Sequence, residues 1–155
     1  MAEIQQLVDW SIEFGPQFLV AVVCGMILGY ERQRCGSPIG MLTCVLVCVG
    51  ATAYMSSGHL ILESSALLGD PTRIASQIIT GIGFLGAGTI IRGNGGVSGL
   101  SSAATIWFIG AVGILVGCRL PVAGLLLTLL VAAVSPLVRW VERRVERTAS
   151  VVSLT

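Results

Sequence analysis

Lysine is absent from this chain of 155 residues, and charge of either sign is sparse: nine arginines and eight carboxylates make up 11% of the residues and leave a formal net charge of +1. A water-soluble domain carries about 25% charged residues, so an ordinary solvent-exposed globular surface is excluded. The near balance of signs also excludes the basic stripe that grips nucleic-acid phosphates. The single histidine, His59, stands in no HExxH, GxSxG or P-loop context. Hydrolase and nucleotide chemistry therefore have no motif here, and the expectation is a protein that is not an enzyme and holds no cofactor. Five cysteines, Cys24, Cys35, Cys44, Cys48 and Cys118, include no CxxC pair and no Cys/His pair at metal-ligand spacing. Four of them lie in or at the edge of apolar runs and read as small buried thiols. The opening MAEIQQLVDW lacks the basic stretch of a cleavable signal peptide.

What the chain has instead is apolar length and glycine. Hydrophobic residues make up 54% and glycine numbers 20, a combination that suits transmembrane helices, where glycine lets backbones approach. Five uncharged runs, 14–30, 39–55, 74–91, 100–118 and 120–138, are each 17 to 19 residues long. As helices, each can cross a hydrocarbon core of about 30 Å. None alternates polar with apolar as barrel strands must. The expectation is an all-α membrane protein of five transmembrane helices, with a five-span domain over 1–138 and a short basic tail over 139–155.

Orientation follows from the arginines. Arg32, Arg34, Arg92, Arg139, Arg143, Arg144 and Arg147 fall on one face of a five-span chain, and Arg73 and Arg119 on the other. Seven against two places the C-terminus in the cytoplasm and the N-terminus outside. The acidic N-terminal segment then faces outward, with Trp10 at the interface. The tail RWVERRVERTAS reads as a short helix along the inner surface, with Trp140 as anchor and Glu142 spaced to pair with Arg139. In the long connection 56–73, HLILESSALL reads as a short helix on the outer surface.

Asp70-Pro71 signals a helix start, because an Asp cap accepts from free amides and proline suits the first turn. The third span then begins near Pro71 and places Asp70, Arg73, Gln77 and Thr80 on one face. Gly81, Gly83, Gly86 and Gly88 fall within eight residues. This density implies either very close helix contact or a locally broken helix whose carbonyls face an ion. Gly25/Gly29 and Gly113/Gly117 form GxxxG pairs, which predict a compact bundle or a homo-oligomer. At the inner end, Glu31, Arg32 and Arg92 read either as a snorkelling rim with a Glu31-to-arginine pair or as an interhelical ion-pair network organising the GNGGVSG turn, in which Asn94 lies and which looks tight and re-entrant. A Mg²⁺ site wants one or two carboxylates and retained waters. Only Asp70, Glu63 and Glu31 lie near the spans, and Asp70 is the metal-site candidate.

Three segments, GYERQRCGSPIGMLTCVLVCVGA, DPTRIASQIITGIGFLGAGTIIR and VSGLSSAATIWFIGAVGILVG, resemble in order and spacing the signature blocks of the MgtC/SapB family of bacterial inner-membrane proteins, over about residues 20–118. The resemblance implies a multi-pass domain with an outside N-terminus and a cytoplasmic C-terminus. It also implies a role in growth under low magnesium and in intracellular survival (virulence), with the best-known members restraining the F-type ATP synthase. The matching positions are Glu31, Arg32, Gly40, Thr43, Asp70, Pro71, Arg73, Gln77, Gly81, Gly83, Phe84, Gly86, Gly88, Arg92, Gly99, Leu100, Ala103, Ala104 and Trp107. Where the family continues with arginine and a polar partner after Gly40, this chain has Leu42 and Cys44. It reads as a short member, without the small cytoplasmic domain that many carry. Two functions stay open: a non-enzymatic regulator acting through helix contacts in the lipid bilayer, as a homo-oligomer or on a partner such as the ATP synthase; and a small ion carrier or channel, for Mg²⁺ or another cation, with Asp70, Arg73 and Gln77 at an outer vestibule.

Overall fold

The computed structural model describes residues 1–64, 70–93 and 96–152. Every apolar run lies within or largely within a helix. The helices are α1 (Ala2–Arg34), α2 (Met41–Ser64), α3 (Pro71–Gly88), α4 (Leu100–Gly117) and α5 (Pro121–Val152), with a two-stranded hairpin, β1 (Ile91–Gly93) and β2 (Gly96–Ser98), between α3 and α4. Four helices are long and apolar enough to cross a membrane, through Phe14–Arg34, Met41–Ile61, Leu100–Gly117 and Pro121–Glu142. α3 is not among them. Its 18 residues rise about 27 Å, but Thr72, Arg73, Ser76, Gln77 and Thr80 dilute its apolar character.

Several boundaries differ from the sequence reading. The N-terminal lead-in and the first span are one helix of 33 residues that carries Pro16 in its interior. His59–Ser64, expected in a separate surface helix, are the last turns of α2; the rest of that stretch, 65–69, lies outside the described residues. The basic tail is not a separate helix either, because α5 continues through Pro136 to Val152. Good helix formers follow the proline, and Arg144 stacks on Trp140 one turn back, 4.8 Å from the ring centroid. The expected re-entrant turn is an antiparallel hairpin that pairs Ile91 with Ser98 and Arg92 with Val97, so the fold is not purely helical.

The bundle is built around α2 and α4. α1 packs against α2, α2 against α4, α3 lies along the α2–α4 side, and α5 along the α1–α4 side. In hydrocarbon, helices associate by close packing and hydrogen bonding rather than by escaping water, and glycines make the approach possible. A Cβ added at Gly25 would stand 2.5 Å from Val45 Cα, one at Gly29 2.5 Å from Met41 Cα, and one at Gly117 2.7 Å from Met55 Cβ. At Gly113 it would strike the Cys48 carbonyl. Both GxxxG pairs are therefore consumed inside the chain, at α1–α2 and α2–α4, and present no face to a second copy. Thr52, fully buried, donates to Cys48 O at 2.9 Å and to Gly113 O at 3.0 Å, which ties α2 to α4 across the glycine contact. Cys24, Cys44 and Cys48 fill the same core as free, buried thiols.

Local caps place the ends. Asp70 is the N-cap of α3, with Pro71 in the first turn. Gly99 precedes α4 with φ 89°, a left-handed conformation that a side chain resists, and a Cβ there would strike the Thr89 carbonyl. If glycine approach holds the bundle, Gly113→Val destabilises the protein by about 2 kcal/mol or more through overpacking, whereas Gly50→Ala, which opens onto empty space, shifts it by less than about 0.5 kcal/mol. Helicity followed through a detergent-to-dodecylsulfate titration separates the two.

Candidate functional site

At the end of the bundle where α1 finishes and α4 begins, the charged residues form a tie among three helices. Glu31 and Arg32 close the last turns of α1, each side chain 14% exposed. Arg32 Nε donates to Glu31 Oε2 at 2.6 Å. Its two remaining nitrogens donate to Ser101 Oγ on α4 at 2.9 Å and to Ser135 Oγ on α5 at 2.6 Å. Ser135 in turn donates to Glu31 Oε1 at 2.8 Å, and Arg139 of α5 donates to the same oxygen. Ser37, in the connection after α1, shares a hydrogen bond with Ser102 of α4 at 3.1 Å. A cavity of about 530 Å³ opens beside this tie, walled by Leu130, Val134 and Val138 and rimmed by Glu142.

The Glu31-to-arginine pair of the rim reading is present, and it is part of an interhelical ion-pair network. Its partners, however, lie on α4 and α5 rather than in the hairpin. Arg139, spaced to pair with Glu142, reaches Glu31 instead. Arg92 sits in β1 with its side chain outside the described residues, and Asn94 lies outside them altogether. Sequence reasoning missed Ser135 as a member. The available signal was Ser-Pro inside the apolar run 120–138, with Arg139 one turn beyond.

The opposite end is built on the start of α3. Asp70 Oδ1 accepts from the Thr72 amide at 2.9 Å and from the Thr72 hydroxyl at 2.7 Å. The Thr72 hydroxyl, then its amide, then the nearby Arg73 charge hold the Asp70 carboxyl below the usual carboxylate range, against a small opposing desolvation. A depressed pKa means that the cap contributes fully at neutral pH and is lost only as acid titrates the carboxylate through its lowered value. Asp70 thus acts as a helix cap, and among the described residues no three His, Cys, Asp or Glu side chains converge on a metal position. His59, on α2, buries Nε2 with no hydrogen-bond partner among the described residues.

α3 itself is a continuous α-helix from Pro71 to Gly88. The broken-helix reading is therefore overturned, because the carbonyls in its interior are engaged in helical bonds. Only Gly86 of the glycine cluster makes close contact, with Ala103 of α4, whose carbonyl oxygen stands 3.4 Å from its notional Cβ; Gly81, Gly83 and Gly88 face open space. Arg73, Gln77 and Gly81 share one side of α3, facing Leu46, Gly50 and Tyr54 of α2 across a groove of about 720 Å³. Thr80, seven residues from Arg73 and so about 20° from it round the helix, lies where that side meets the outward one and does not line the groove. Its hydroxyl returns to Ser76 O at 2.9 Å.

The remaining motif residues are scattered. Thr43 is exposed in the first turn of α2, and Trp107 is exposed midway along α4. Leu42, which stands where the family pattern has arginine, is 70% exposed, while Cys44 is fully buried. An arginine at 42 would point away from the tie. The Glu31 and Asp70 groups lie at opposite ends of α3 and form no single site.

Comparison with known proteins places this architecture. The MgtC family model matches residues 18–144, and the chain belongs to the MgtC family. It is 40% identical over 119 residues to MgtC of Brucella abortus, covering 77% of this chain and 48% of that protein. It is 41% identical over 125 residues to YhiD of Escherichia coli K12, whose name provisionally describes a magnesium transporter, covering 75% and 57%. To SapB of Bacillus subtilis it is 31% identical over 151 residues, covering 90% and 63%. The chain spans about half to three fifths of the length of these relatives. No solved structure matches it.

Removing the carboxylate from the tie leaves two guanidinium groups facing one another. Glu31→Ala is expected to destabilise by about 3 kcal/mol, and Ser101→Ala by only about 0.6 kcal/mol, the usual worth of an interhelical hydrogen bond in a membrane. Unfolding titrations on both variants check this; equal losses would show that the charge does not carry the tie.

Proposed function

We propose that the chain is a non-enzymatic regulator in the bacterial inner membrane, acting by helix-to-helix contact on another membrane complex. The observation that carries this reading is the outward side of α3. Thr72, Ser76, Thr80, Gly83 and Ala87 follow one another at helical spacing, and all are exposed. Small residues at three- and four-residue intervals are what membrane helices use to bring backbones together, and among the described residues no other helix covers this row. Phe84, 80% exposed, stands beside it.

In this reading α3 is the fifth span, the N-terminus lies outside and the C-terminus in the cytoplasm, as the seven-to-two division of arginines favours. The partner is a membrane energy-converting complex, with the F-type ATP synthase as first choice, and the setting is adaptation to low magnesium and survival inside host cells. A second copy of the chain is the other occupant that the row on α3 suits.

A second reading, a carrier for Mg²⁺ or another cation, draws on the description of the Escherichia coli relative. It would place Asp70, Arg73 and Gln77 at the outer mouth of a path along α3. The unbroken helix and the use of Asp70 Oδ1 as a cap weigh against it.

ATP-driven proton pumping in inverted membrane vesicles, at matched expression, tests the first reading. Gly83→Leu, whose side chain enters open space, should require about five times more protein for the same inhibition, equivalent to ~1 kcal/mol of lost helix contact. Asp70→Ala should leave inhibition unchanged. Inhibition indifferent to Gly83→Leu but abolished by Asp70→Ala, with cation flux in liposomes, would favour the carrier.

A further inference from the structure

The groove between α2 and α3 lies on the other side of α3 from the small-residue row, and nothing in the regulator reading uses it. Its walls are apolar from Leu46 and Leu85 at one end to Tyr54 and Ile74 at the other, and its floor is Val47, Ala51 and Ile82. Gly50 on one wall and Gly81 on the other meet nothing within 4 Å of a notional Cβ, so the missing side chains are what leave the space of about 720 Å³. α2 and α3 touch beyond it at Gly58 and Ile74.

Polarity is confined to one end. Arg73 and Gln77, one turn apart, flank the mouth, and Tyr54 is 71% exposed beside them. Arg73 is exposed and takes part in neither ion pair formed among the described residues. The nearest carboxylate in sequence, Asp70, turns one oxygen onto Thr72. A guanidinium that forms no ion pair among the described residues, though its charge reaches the Asp70 carboxylate, and an amide at an interfacial mouth, followed by an apolar trough, match a phosphate followed by a hydrocarbon chain.

Length separates this occupant from a helix. Arg73 to Leu85 is twelve residues, a rise of about 18 Å. That is close to one leaflet of a hydrocarbon core of about 30 Å, and too short for the full crossing that a partner helix makes.

We propose that the α2–α3 groove binds a glycerophospholipid of the leaflet at the Asp70 end, with its phosphate on Arg73 and Gln77 and one acyl chain lying between Gly50 and Gly81. The bound chain fills the space that the two glycines leave and makes the lipid an integral part of the α3 edge. The proposal depends on the chain being membrane-embedded and not on what the chain regulates.

The test uses the full chain in phosphatidylcholine nanodiscs containing a small fraction of phosphatidylglycerol with a photoreactive diazirine at the acyl end, and maps the adducts by mass spectrometry. Adducts are expected to concentrate on Leu46, Gly50, Gly81 and Leu85. Arg73→Gln should reduce them about fivefold, as for loss of one interfacial cation, and Arg73→Lys should restore most of them. Gly81→Leu fills the trough and should remove them while leaving helicity and thermal unfolding unchanged. A diacylglycerol probe with the same diazirine, lacking the phosphate, should label no better than Arg73→Gln. Adducts spread over the exposed face of α5 in proportion to exposure, or unmoved by Arg73→Gln and Gly81→Leu, would overturn the proposal, as would groove adducts present in discs holding one copy but lost in discs holding two, the sign of a second copy seated in the groove. A failure here leaves the regulator reading standing, since Gly83 on the outward side tests that separately.

Discussion

Two apolar helices in hydrocarbon gain nothing by hiding from their solvent, so this bundle depends on how near its backbones can come. The approach is set at a few positions along α2. There Val45 and Met41 receive Gly25 and Gly29 of α1, and Cys48 and Met55 receive Gly113 and Gly117 of α4. Thr52 uses the resulting proximity to reach a carbonyl of the neighbouring helix. With α1, α2 and α4 locked in this way, α3 and α5 are left as outer helices, and their free surfaces are what the protein can offer to lipid or to a partner.

Charged groups are kept to the two ends of that core and do different work at each. At one end Glu31 pairs with two arginines and, through Ser135, connects helices that are far apart in sequence. A carboxylate in such a place is costly unless it is paired, and every charge in the tie has a partner. At the other end Asp70 caps a helix and Arg73 stays free of ion pairs among the described residues. The asymmetry makes the cluster at the Glu31 end a fastening and leaves the cluster at the Asp70 end open.

Much of the fold was legible because apolar length in a charge-poor chain has few meanings. The runs at 14–30, 39–55, 100–118 and 120–138 each fall within, or nearly within, a helix that can cross a membrane, and Asp70-Pro71 marked the start of α3 from local capping chemistry alone. The helix overruns, through Ser64 in α2 and Val152 in α5, were not legible, because charge marks where the apolar character stops and not where the backbone turns. The glycines show the same limit from the other side. GxxxG marks a close approach without saying to what, and only the packing shows Gly25 and Gly113 facing inward while Gly83 faces out. Of the candidate site, Glu31, Arg32 and Arg73 stand out in the sequence as charges at the ends of apolar runs; that Ser135 and Arg139 complete the tie required knowing that α5 returns beside α1.

The central claim is that α3 crosses the membrane as an outer helix with a free outward side. It is tested most directly by placing single cysteines at Thr72 and Ser98, at the two ends of α3 and its hairpin, in a background without the five native cysteines, and labelling intact cells with a membrane-impermeant maleimide. The account predicts that the cysteine at 72 reacts from outside, while that at 98 reacts only after the membrane is permeabilised. Labelling of both from the same side would contradict it and would confine the crossing to the other four helices.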